Sequence, residues 1–424
     1  MPQRAPMRAQ IGTLILATSG IQLANGFFNT MISLRVAIQD FGPTMAGLVL
    51  SSYFAGFTLA ALRCGRIIER VGHIRAYAAF AGLVVVATAA MPLLIGGMPW
   101  LVLRTVIGFG CAGLFITTES WLNAKAQPAE RGRVFSLYMV GTFVALAAGQ
   151  LLIGRAKIET AAPFNAIIAL FAVALVMVSM TRAEPPRLTA IANLPYGQLL
   201  RATPVAVGGT ALAGLISSSF YALVPAWMQG EGIARETIAI SMLAAVLGGL
   251  AFQVPIGRLS DRVDRRMVLA ALGFGVMGTS VALVLLPHSL PVVLPAAALL
   301  GGVMSTIYPI CVALAHDQIP GDRIVALSSQ LILVSGLGSV IGPLIGANLM
   351  GRFSIDGVFY FMAAAALLLT VLAARRSLTT ASPRHRERPF EILAPQAASL
   401  AHDLLGASDG FPSPDPVGLA SKLG

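Results

Sequence analysis

The chain has 424 residues, of which 56% are hydrophobic and 11% charged, and its mean hydropathy is +0.80. A soluble domain of this length needs more charge than that to solvate its surface, so the outer surface is expected to face lipid. The net charge of +11 does not mark a nucleic-acid binder, because the basic residues fall in short loops between apolar runs, which is the signature of membrane topology.

Met1 to Gln10 carries Arg4 and Arg8 and precedes an apolar stretch long enough to cross a bilayer. It reads as a retained first helix and not as a cleavable signal. A hydrocarbon core about 30 Å thick needs roughly 20 apolar residues of helix. Twelve stretches qualify. They are 11–34, 44–63, 75–95, 99–122, 134–154 and 162–181, then 204–228, 235–256, 267–287, 291–315, 324–349 and 356–374. The expected fold is all-α: two pseudo-symmetric six-helix bundles, 1–181 and 204–376. A cytoplasmic linker, 182–203, joins them and holds Arg182, Glu184, Pro185, Pro186, Arg187 and Arg201. The tail, 377–424, is rich in Pro, Ser and Ala. It is expected to be mostly disordered, with one short helix near Phe390 to Leu405.

With the N-terminus cytoplasmic, 22 Lys and Arg fall on the inner side. Five fall outside: Arg35, Arg155, Lys157, Arg235 and Arg352. The bias places both termini in the cytoplasm, as an even helix count requires. Cys64, Cys111 and Cys311 lie in or beside apolar runs without metal-ligand spacing, and read as reduced apolar packers.

One charged pattern occurs twice. Gly65-Arg66-Ile67-Ile68-Glu69-Arg70-Val71-Gly72-His73-Ile74-Arg75 follows helix 2, and Gly257-Arg258-Leu259-Ser260-Asp261-Arg262-Val263-Asp264-Arg265-Arg266 follows helix 8, 192 residues later. The glycines allow a close helix approach or a sharp turn, the acid suits a helix N-terminus, and the arginine suits a carboxylate on a neighbouring helix. One copy would serve equally as a cytoplasmic anchor. Two copies in register point to a conformational latch built from Gly65, Glu69, Arg70, Arg75, Gly257, Asp261, Arg262 and Arg265.

These loops resemble the signature G-x-x-x-D-R-x-G-R-R of the major facilitator superfamily, with Glu69 and Asp261 at the acidic position. Arg104, followed by Gly108, Gly110 and Ala112, resembles its R-x-x-x-G-x-G-x-A segment in helix 4. Ser51 to His73, with Thr118-Glu119-Ser120-Trp121-Leu122-Asn123, is similar to the YcaD-like branch. The resemblance runs from Ile11 to about Arg376 and implies alternating access around a central cavity lined by helices 1 and 7. Helix 5 departs from the superfamily's drug–proton antiporters: it has Gly149-Gln150 where they carry Gly-Pro. Gly342-Pro343 stands instead in helix 11, within a ladder of Gly338, Gly342 and Gly346.

An ionisable residue inside a membrane helix is a functional candidate by default. Arg104 is either a snorkelling residue or a cavity residue that binds an anionic group or takes part in proton coupling. Glu119 lies fifteen residues further, roughly 22 Å along the helix, so the two cannot pair. Its position suits Arg70, which assigns Glu119 to the latch. Gln22, Asn25 and Asn29 share one face of helix 1, and helix 7 offers Ser218 and Tyr221. These five and Arg104 are the cavity candidates, although any single polar group also serves as helix glue.

No P-loop, metal cluster or catalytic triad stands out, so neither an enzyme nor a cofactor is expected. The reading is a monomeric secondary transporter in a bacterial inner membrane. Its partners are the lipid bilayer and a small organic solute, with protons as the coupling ion and export as the direction. A nutrient-uptake symporter and a non-transporting sensor or scaffold are the alternatives.

Overall fold

The computed structural model describes residues 7–126, 130–180, 203–318 and 324–379. The first half contains α1 (Met7–Ile38), α2 (Pro43–Val71), α3 (His73–Ala90), α4 (Gly97–Lys125), α5 (Arg131–Leu151) and α6 (Ala162–Ser179). A short 3-10 turn, Ile153–Arg155, follows α5. The second half contains α7 (Pro204–Gly230), α8 (Arg235–Arg262), α9 (Arg265–Leu285), α10 (Leu290–His316), α11 (Ile324–Arg352) and α12 (Gly357–Thr379). All twelve are long and apolar enough to cross a membrane. Each half buries aromatic side chains such as Trp100, Phe164 and Trp227, while Val86, Leu93 and Leu285 stay exposed on the outside, where lipid would meet them. The linker 182–203, but for Thr203, and the expected tail helix lie outside the described residues.

The halves repeat in detail. In the first, α2 crosses α4 so closely that a Cβ on Gly56 would fall 1.9 Å from the Thr105 carbonyl oxygen, and one on Gly108 1.9 Å from that of Tyr53. In the second, Gly248 meets Ala298 O at 2.0 Å and Gly301 meets Ala245 O at 2.1 Å in the same sense. Gly149 against Leu23 O at 2.2 Å is matched by Gly342 against Leu215 O at 2.5 Å. Only glycine permits such backbone contact, and in lipid this packing supplies much of the association energy. Gly149-Gln150 and Gly342-Pro343 are therefore repeat equivalents. Where α11 has Pro343, α5 has Gln150, whose amide donates to Gly26 O at 3.1 Å and accepts from Thr30 Oγ1 at 2.7 Å.

Between the halves, α2 packs on α11, α5 on α8 and α1 on α7, as a pseudo-twofold requires. Contacts joining the halves gather at the end where α1 finishes and α2 starts. Thr44 Oγ1 donates to Asn348 Oδ1 at 2.7 Å, and Ser33 Oγ donates to Ala222 O at 2.5 Å. Arg235 forms an ion pair with Glu159, and Gly351 sits against Pro43. We call this the clasped end.

The repeated charged segments are not loops over most of their length. Helix α2 runs to Val71 and α8 to Arg262, so both segments form the last turns of helices. Gly65 makes neither a sharp turn nor a close approach, for nothing lies within 4 Å of a Cβ placed there. The turn belongs to Gly72, at φ 82°, a conformation that glycine adopts without steric cost. Gly257 is buried within α8, its carbonyl accepting from Ser260 Oγ at 2.8 Å.

Candidate functional site

A buried polar cluster joins α1, α2 and α4. Arg104 is 2% exposed, yet its Nη2 donates to Asn29 Oδ1 at 2.9 Å. Asn29 Nδ2 in turn donates to Asn25 Oδ1 at 2.8 Å, the same oxygen that accepts from Tyr53 Oη at 3.1 Å. Asn25 Nδ2 extends the chain to Gln22 Oε1 at 3.3 Å. The guanidinium carbon stands 4.7 Å from the Tyr53 ring centroid and 5.4 Å from that of Phe28, within range of cation–π attraction. Nε and Nη1 of Arg104 are buried without a partner. The close α2–α4 crossing puts this charge here: Gly56 and Gly108 bring the backbones together, and the Arg104 guanidinium then lies over the Tyr53 ring across the gap.

Four cavity candidates from the sequence, Gln22, Asn25, Asn29 and Arg104, thus form one network. Ser218 and Tyr221 do not join it. Ser218 Oγ donates to Leu215 O at 3.2 Å and faces Gly342, while the Tyr221 hydroxyl is buried beside Ser305 of α10. On α7 a hydrogen bond to α1 is made by Ala222, whose carbonyl accepts from Ser33 Oγ. Gln22, Asn29 and Ser33 recur at i, i+7 and i+11 on one stripe of α1, so the cluster opens toward the second half.

The expected pairing of Glu119 with Arg70 is absent. Glu69 and Arg70 are exposed at the end of α2 and Arg75 is exposed in the first turn of α3, whereas Glu119 is 0% exposed and accepts from Tyr138 Oη at 3.0 Å. Beside it, His73 Nε2 contacts Ser120 Oγ at 2.8 Å, and the His73 and Trp121 ring centroids are 6.1 Å apart. Glu119 points into the first half because Tyr138 of α5 receives it there, while Arg70 leaves α2 on the outer face.

The second segment is tied down. Arg265, 3% exposed, pairs with Asp261 at 3.0 Å and with Asp317 at 3.2 Å, binding the end of α8 and the start of α9 to the end of α10. Asp264 caps α9 by accepting from Arg266 N at 2.9 Å. Arg262 is exposed. Asp317 escaped the sequence reading, because a lone aspartate after a helix carries no pattern. Its signal was position: a carboxylate at the same membrane level as the basic cluster. Among the described residues no group of three His, Cys, Asp or Glu could hold a metal ion.

The Major Facilitator Superfamily profile matches residues 14–205 and 206–406. Proteins described as uncharacterized MFS-type transporter YcaD are similar over most of their length. The one from Escherichia coli K12 is 30% identical over 383 residues, covering 89% of this chain and 97% of that protein. The one from Escherichia fergusonii is 29% identical over 383 residues with the same coverage, 89% and 97%. Among solved structures, a mutant of the nucleoside transporter NupG superposes with a TM-score of 0.76 at 12% identity, covering 88% of this chain and 100% of that one. A bacterial homologue of the lysosomal transporter Spinster, inward-facing and unoccupied, gives 0.70 at 15% identity, with 88% and 96% covered. The Escherichia coli fucose:proton symporter FucP gives 0.55 at 16% identity, with 88% and 100% covered. At such identities the structures speak for the fold, and the profile and the YcaD relatives speak for the family. This chain is a multi-pass membrane protein of the major facilitator superfamily.

Proposed function

We propose that this protein is a secondary transporter of a small organic solute, working by alternating access, with both termini and the basic segments in the cytoplasm. The observation that carries the reading is the clasp: contacts between the halves gather at one end, and a buried polar cluster lies on the path between them. With the basic segments inside, the clasped end is periplasmic and the conformation inward-facing. The likeness to an inward-facing Spinster homologue agrees with this.

In the outward-facing state the clasp would release and the cytoplasmic ends would close. We assign the exposed Glu69, Arg70 and Arg75 to that closure, as groups that find carboxylates and cations of the other half only when the inner ends meet. Protons are the proposed coupling ion and export the proposed direction. FucP, a similar fold, is named as a proton symporter.

The test is to hold the clasp shut. Thr44→Cys with Asn348→Cys places two thiols where side chains now touch at 2.7 Å. In right-side-out membranes or proteoliposomes, oxidation should stop solute movement and reduction should restore it. Unchanged flux with the crosslink formed in full would sink alternating access about this end.

A further inference from the structure

We infer that Arg104 is the receptor for the anionic group of the solute, and that the solute is a singly charged organic anion of carboxylate type with an apolar body. The inference rests on the transport reading for the solute's passage, though not for its binding. Three observations carry it.

The first is charge balance. A buried guanidinium is retained at a cost of several kcal/mol unless an anion faces it. The groups around Arg104 are Asn29, the phenol of Tyr53, the ring of Phe28 and the thiol of Cys111, all neutral in their ordinary forms. The carboxylate on the same helix, Glu119, is fifteen residues away and engaged by Tyr138. Donors on two of the three guanidinium nitrogens, Nε and Nη1, have no partner.

The second is number. Among the described residues the other buried arginines have acceptors within the protein: Arg35 donates to Ile158 O, Arg265 pairs with Asp261 and Asp317, and Arg266 donates to Arg376 O. One cation suits one negative charge, which argues for a carboxylate over a doubly charged phosphate.

The third is the adjoining space. A cavity of about 530 Å³ lies between the halves, lined by Ser33, Val36, Leu50, Leu223, Met350 and Ile355 among others, and no charged residue borders it. Ser33 is one turn beyond Asn29 on α1, and Leu50 is three residues before Tyr53 on α2. The cavity therefore lies about one helical turn from the Arg104 cluster, on its clasped side, with none of the cluster's own side chains in its lining. Its size is that of a small-ligand site, and its walls suit an apolar body whose charged end reaches back to the guanidinium.

The experiment is thermal unfolding of the purified full-length protein with phenylacetate, its neutral isostere phenylacetamide, and phenethylamine. Phenylacetate should raise the melting temperature in a saturable way, and the other two should not. Arg104→Gln should weaken the apparent affinity about tenfold or more, the loss expected for a charge-assisted hydrogen-bonded pair. Arg104→Lys should keep a preference for the carboxylate over the amide. Ala226→Trp, which fills the cavity without touching the cluster, should remove the response. These two variants decide the matter if Arg104→Gln does not fold. Equal responses to acid and amide, an unchanged response in Arg104→Gln or in Ala226→Trp, or no response to phenylacetate at tens of millimolar would each overturn the assignment. The readout is binding in detergent, with no gradient. A protein that binds phenylacetate but moves no solute in proteoliposomes would lose the transport reading and keep the anion site.

Discussion

The α2–α4 and α8–α10 crossings are the same object built twice, with Gly56 and Gly108 in one and Gly248 and Gly301 in the other, and they hold different cargo. In the first half the crossing encloses Tyr53 and Arg104. At the equivalent places in the second half stand Ala245 and Ala297, both buried and apolar. The packing solution was kept, and only one copy received a charge. The scaffold needs the glycines in both halves, so the arginine in one half is not there for packing.

The basic segments show the reverse asymmetry. Arg265 locks α8, α9 and α10 together through Asp261 and Asp317. Its counterpart is His73, which contacts Ser120, while Glu69 and Arg70 stay exposed. Where Asp264 caps α9, Gly72 turns the chain without a side chain to bond. The second half thus has this end tied by two ion pairs, whereas the first half leaves its charges exposed there. On the alternating-access proposal the second half is the rigid partner and the first half the compliant one, whose exposed segment can engage and release.

The largest expected effect tests the shared scaffold. Gly108→Val and Gly301→Val should both abolish folding, each by on the order of 3 kcal/mol or more, because a Cβ would overlap a backbone oxygen that no rotamer can move. Fluorescence-detection size exclusion reads this directly. A tolerated change on one side only would show that the crossings are not equivalent.

Next, Arg265→Ala should cost roughly 2–4 kcal/mol, trimmed from the buried-pair range because Asp261 is 31% exposed. His73→Ala should cost about 1 kcal/mol, the worth of one hydrogen bond and some packing. Thermal unfolding of the two variants side by side would check the ranking, and equal losses would erase the rigid–compliant distinction.

The smallest effect belongs to the clasp. Glu159 is held below the usual carboxylate range, chiefly by a hydrogen bond with its own backbone and, against an opposing effect of burial, by Arg235 and Arg35. A depressed carboxylate stabilises its partnered state above its ordinary pKa, and the contribution fades as pH falls through the lowered value. The clasp should therefore be firm at neutral pH and weaken only in strong acid. With both side chains more than a third exposed, Glu159→Gln should shift the conformational balance by less than about 1 kcal/mol. Accessibility of a cysteine placed at Ala37, in the clasped cavity, would report it. A shift centred near neutral pH would mean that another group controls this end.

The sequence by itself determined the twelve spans, the duplication and the family. Each follows from local chemistry: a span is a run of apolar residues, and the duplication repeats Gly-x-x-x-acid-Arg at a fixed offset. The polar face of α1 was also legible, because helical periodicity places Gln22, Asn25 and Asn29 on neighbouring positions. Tertiary structure decided the partners. Nothing along the chain indicates that Arg104 meets Asn29 and Tyr53, that Glu119 turns toward Tyr138 and away from Arg70, or that Arg265 finds Asp317. Those pairings depend on the depth and angle at which helices cross, which the glycine contacts help to set. Membrane hydropathy, indifferent to which apolar face meets which, leaves that choice to backbone contact.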